Sequence, residues 1–84
     1  MRKFIASVTV RELTVTLRYY LFGSRKNGYG VQIIEFDSEG SILDHAQQTV
    51  SSQLQSALRF IRALAIGRVF PYSLEEVIPE WNFV

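Results

Sequence analysis

No cysteine occurs anywhere in the 84 residues. That excludes disulfides, thiolate nucleophiles and every thiolate zinc site, and it fits a reducing cytoplasm, the localisation expected here. Histidine is almost as scarce, with a single copy at His45. One imidazole without a thiol would need carboxylates from several segments to make a tight transition-metal site, so no metal or other cofactor is expected. No apolar run approaches the ~18 residues of a membrane span. The short apolar stretch after Met1, Arg2 and Lys3 is broken by Ser7 and Thr9, unlike a secretory signal, so a membrane is not an expected partner. A dominant charge is missing too: nine basic and eight acidic side chains leave a formal charge of +1, which creates no long-range field toward nucleic acid. Nucleic-acid binding would need a local patch.

What the chain has instead is apolar and aromatic surface. A hydrophobic fraction of 48% with 13% aromatics is high for one domain of residues 1–84, and one helix cannot cover it all. A second buried surface is expected.

The segment that organises the rest is 52–67. Leu54, Ala57, Leu58, Ile61, Leu64 and Ala65 recur at helical spacing and predict a buried face, with Gln55, Ser56, Arg59, Arg62 and Ala63 opposite. Ser52 and Gln55 read as a capping box, and Gly67 as the left-handed residue that ends the helix. Such a face needs a sheet to lie on.

The preceding residues supply one. Segment 3–10 alternates loosely, with Phe4, Ala6, Val8 and Val10 on one side. In 13–22, Leu13, Val15, Leu17, Tyr19 and Leu21 should meet the helix, while Thr14, Thr16, Arg18, Tyr20 and Phe22 point away. A glycine-bounded turn at 23–28, ending in Asn27 and Gly28, predicts a hairpin. In 29–37, Val31 and Ile33 share one face and Ile34 and Phe36 the other, which requires a bulge or cover on both faces. Segment 41–49 is more polar and reads as an edge strand. Ser73 to Glu76 form a second capping box, starting a short helical turn through Val77 and Ile78 that Pro79 limits. The predicted fold is α+β: an antiparallel meander of about four strands, the long helix across one face, and a short C-terminal helical turn.

Three motifs carry a family resemblance: Tyr19-Tyr20-Leu21 ending a strand, Tyr29-Gly30-Val31 opening the next, and the run from Val69 through Phe70, Pro71, Tyr72, Ser73, Leu74, Glu75 and Glu76 to Ile78 after a single long helix. In these the chain resembles a small uncharacterised bacterial family, found mainly in Firmicutes, that is known only as a domain of unknown function. The resemblance implies strands followed by a helix. It brings no catalytic residue with it.

A search for chemistry finds little. Gly23 and Gly28 have the spacing of a phosphate loop, but Tyr29 and Gly30 stand where its lysine and hydroxyl residue belong. Gly28-Tyr29-Gly30 echoes an RNA-recognition octapeptide, yet its later stacking aromatics are absent. His45, beside Asp44, reads as a solvated edge-strand residue. The serines fall in turns, in caps or on the helix surface, and none has a base and an orienting partner in view, so catalysis is not expected. The apolar surplus is the stronger signal. Tyr20, Phe22, Ile34 and Phe36 are left on the sheet face turned away from the helix, and a large exposed apolar patch marks an interface. Either the tail at Trp81 and Phe83 covers them, or another chain does. The expected function is a small non-catalytic interaction module, its partner a second copy or one other cytosolic protein. The alternative is a nucleic-acid-binding accessory protein using Arg18 with Arg25 and Lys26 of the basic hairpin tip.

Overall fold

Each strand pairs with the next in the computed structural model, which describes residues 1–81 and 83. Strands β1 (Arg2–Val10), β2 (Val15–Ser24), β3 (Gly28–Phe36) and β4 (Ile42–Ser51) form one antiparallel sheet in the order β1-β2-β3-β4. Helix α1 (Leu54–Ile66) crosses one face, and a short helix α2 (Leu74–Val77), flanked by the 3-10 turns Pro71–Ser73 and Ile78–Glu80, follows it. The meander, the single long helix and the C-terminal helical run are those the sequence predicts.

Alternation along β2 and β3 decides what is buried. Leu17, Tyr19, Val31 and Ile33 are fully buried beneath α1 with Val15 and Leu21 beside them, so the odd-numbered positions face the helix as expected. The ladder between β2 and β3 runs without a shift from Thr16–Phe36 to Ser24–Gly28. No bulge in β3 reconciles its two apolar faces, since both register shifts against β4 leave the extra residue on β4, and Ile34 and Phe36 do lie on the side away from α1. Tyr19 crosses the core with its hydroxyl donating to the Val69 carbonyl at 2.9 Å. Burial of that phenol pushes its pKa up to about 12, because the anion would have no water around it.

Five local details depart from the sequence reading. Leu13 is not in the strand: it sits in a 3-10 turn, Arg11–Leu13, and is exposed, since Thr14 takes a left-handed conformation (φ 57°) that breaks the alternation. The buried side of α1 is rotated toward Ser56, Ala57, Phe60, Ile61, Leu64 and Ala65, leaving Leu54 exposed and Leu58 half-buried. Ser52 does not cap α1; Gln53 holds that position, and the Ser51 hydroxyl accepts its amide at 3.0 Å. Ser73 likewise makes no side-chain cap, because the chain enters α2 already coiled from Pro71. At the far end of α1 Gly67 keeps a helical φ of −81°, and the left-handed residue is Arg68 at φ 53°. The Val69 amide then bonds the Leu64 carbonyl and the Arg68 amide the Ala65 carbonyl, closing a Schellman motif one residue later than expected.

Candidate functional site: the open face of the sheet

The face of the sheet away from α1 carries the side chains with no evident role in the core. Its floor follows from strand register, since paired residues share a face. Tyr20 pairs with Phe4 and Gln32, Phe22 with Arg2 and Gly30, Arg18 with Ser7 and Ile34, and Phe36 with Thr16 and Ile42. The expected interface residues Tyr20, Phe22, Ile34 and Phe36 are thus brought together, and Arg18 lies among them.

Phe4 and Arg2 belong to this surface as well, and sequence reading misses both. Strict alternation puts Phe4 with Ala6, Val8 and Val10, but the ladder between β1 and β2 slips between Phe4 and Ala6. Ile5 is the extra residue, and Phe4 is turned to the open face, 51% exposed. A bulge has no sequence signal as clear as a turn dipeptide.

The rings and the guanidinium groups are interleaved. Phe4 and Tyr20 meet edge to face with centroids 5.8 Å apart. The Arg2 guanidinium lies 3.9 Å over the Tyr20 ring, and its Nε donates to Gln32 Oε1 at 2.9 Å. Arg18 is shared between Phe4 at 5.9 Å and Phe36 at 5.6 Å. Among the described residues, these contacts hold two cations against apolar surface without an acidic partner. Phe22 lies over Gly30, where a Cβ would run into its ring and the Gln48 carbonyl. Glycine is required there for close approach rather than for backbone freedom. No aspartate or glutamate occupies a paired position of this face. Ile34 is buried between its strand neighbours, and Ile42 is exposed at the rim.

The charges at the sheet's ends differ in sign. Arg25 and Lys26 are exposed in the turn joining β2 to β3. Asp37 and Glu39 occupy the turn joining β3 to β4, at the opposite end, where Asp37 Oδ1 accepts the amides of Glu39 and Ser41 at 2.9 Å each. Arg25 and Lys26 therefore do not converge with Arg18, which lies along the strand, into one compact basic patch.

The tail does not cover the open face. Trp81 and Phe83 pack against Phe60 of α1, with centroids 5.5 and 5.0 Å away, and the Ser56 hydroxyl donates to the Phe83 carbonyl at 3.4 Å. Those contacts lie on the helix side, which also explains why Phe60 and Ser56 are buried. His45 is exposed on edge strand β4, paired with Ile34. Among the described residues no group of three His, Cys, Asp or Glu side chains is placed to hold a metal ion, and no helix is long and apolar enough to cross a membrane.

This arrangement defines a class: a four-stranded meander with a helix on one side and an open aromatic face on the other. The chain belongs to a family of unknown function, DUF6514, whose pattern matches residues 1–82. No curated protein and no solved structure matches it significantly.

Proposed function

We propose that this protein is a small non-catalytic interaction module that self-associates through the open face of its sheet, in a cytosolic setting consistent with its cysteine-free sequence. The observation that carries the reading is the set Phe4, Tyr20, Phe22 and Phe36, held on one open face while the tail aromatics Trp81 and Phe83 pack on the other side of the molecule. Phe4 is exposed and Tyr20, Phe22 and Phe36 are half-buried, so each ring has only part of the roughly 1.5–3 kcal/mol of a full burial still to gain, and an interface recovers that part. Light scattering across a dilution series tests it. The dimer expected at high micromolar concentration should be lost in the double variant Phe4→Ser/Phe36→Ser, with the circular dichroism spectrum unchanged. A wild-type monomer throughout the series would overturn the reading.

A second reading is favoured by one observation, the absence of any acidic side chain from the paired positions of a face that carries Arg2 and Arg18. It is a nucleic-acid-binding accessory protein in which single-stranded bases stack on the rings and Arg18, Arg25 and Lys26 contact phosphates. Its signature is salt-dependent binding of an oligonucleotide that Arg25→Glu/Lys26→Glu abolishes.

A further inference from the structure

We infer that the occupant of the open face is a second copy of this chain, laid face to face with its strands running in the opposite direction, so that the basic turn of each copy meets the acidic turn of the other. The inference rests on the self-association proposed above and adds its geometry. The argument is charge placement. Arg25 and Lys26 carry two positive charges at one end of the sheet, and Asp37 and Glu39 two negative charges at the other, where Arg11 and Glu12 of the turn joining β1 to β2 offset each other. Between them run the nine residues of β3, about 30 Å at ~3.3 Å per residue. That is several times the ~8 Å Debye length at physiological salt, so each end responds to what it touches and not to the net charge.

Two ways of stacking the sheets by a twofold axis keep the strands aligned. An axis parallel to the strands sets basic turn on basic turn and acidic on acidic. An axis across the strands reverses one sheet and matches opposite signs at both ends. Aligned sheets pack ~10 Å apart, within reach of the Arg25 and Lys26 side chains. Arg2 and Arg18 enter such an interface already stacked on Tyr20, Phe4 and Phe36, and guanidinium groups give up water more readily than ammonium groups do. Four strands at ~4.8 Å spacing by ~30 Å give on the order of 600 Å² per copy. Both copies together reach the lower bound of a specific interface, about 1,200 Å².

The test is a charge swap. Arg25→Glu/Lys26→Glu and Asp37→Lys/Glu39→Lys are made separately, and dimer dissociation constants are measured by analytical ultracentrifugation for each and for their equimolar mixture. Each variant alone sets like charges together at both ends and should dissociate about tenfold more readily than wild type or worse. The mixture should restore a tight heterodimer, since one end then pairs Glu with Lys and the other keeps the native pairing. A wild-type dimer indifferent to both reversals overturns the antiparallel geometry and leaves self-association standing. A wild-type monomer overturns both, and if that monomer binds oligothymidylate in a salt-sensitive way, the occupant is nucleic acid.

Discussion

Glu35 shows how much a single position can set. It stands on the helix side of β3 and pairs in register with Asp44 of β4, so two carboxylates lie across one rung of the ladder. Partial burial first, and the Asp44 charge second, raise its pKa above the ordinary 4.5. A raised acid binds its proton more tightly in the folded state. The stabilisation from that proton is complete below the unfolded value and is lost as pH rises through the folded one. At neutral pH, Glu35 therefore opposes folding. Thermal melts should show Glu35→Gln more stable than wild type at pH 7, with the gain shrinking toward zero near pH 3; a gain that persists in acid would refute the assignment. No sequence pattern announces this pair, because register between β3 and β4 shifts between Glu35 and Phe36.

Helix α1 was the most legible element, and its errors are instructive. Its existence and most of its length follow from apolar spacing, while its rotation about its own axis does not. The pattern 54, 57, 58, 61, 64, 65 and the observed 56, 57, 60, 61, 64, 65 share four positions. What turns the helix is Phe60, which Trp81 and Phe83 enclose from a distant part of the chain. Local periodicity cannot contain that information. Ile61, common to both patterns and fully buried, tests the element as a whole. An aspartate there would lie uncompensated beneath the sheet at a cost of several kcal/mol, comparable to the total stability of a domain this size. Ile61→Asp should give a largely unfolded circular dichroism spectrum, and a cooperative melt near the wild-type midpoint would show the face to be misassigned.

On the scale of the whole molecule, the fold was readable because each strand closes on its neighbour through a short turn, so sequence order is spatial order. The open face was half readable. The alternation of β2 turns Tyr20 and Phe22 to that face, but the destination of the C-terminal aromatics and the parity change in β1 are properties of the folded chain. Charge on this scale is a gradient from the turn of Arg25 and Lys26 to that of Asp37 and Glu39. Raising salt from low to about 0.5 M should therefore weaken the dimer several-fold, because the end contacts are screened while the apolar centre is not; association that strengthens with salt would leave only the apolar term. The extra residue at Ile5 bears on a different problem. β1 is an outer strand of the sheet, and a straight outer strand offers its free amides and carbonyls as a template to any other extended chain. The slip between Phe4 and Ala6 bends that row out of line. A chain one residue shorter at this point could keep every pairing with β2, yet it would present an uninterrupted edge on which fibrils could grow.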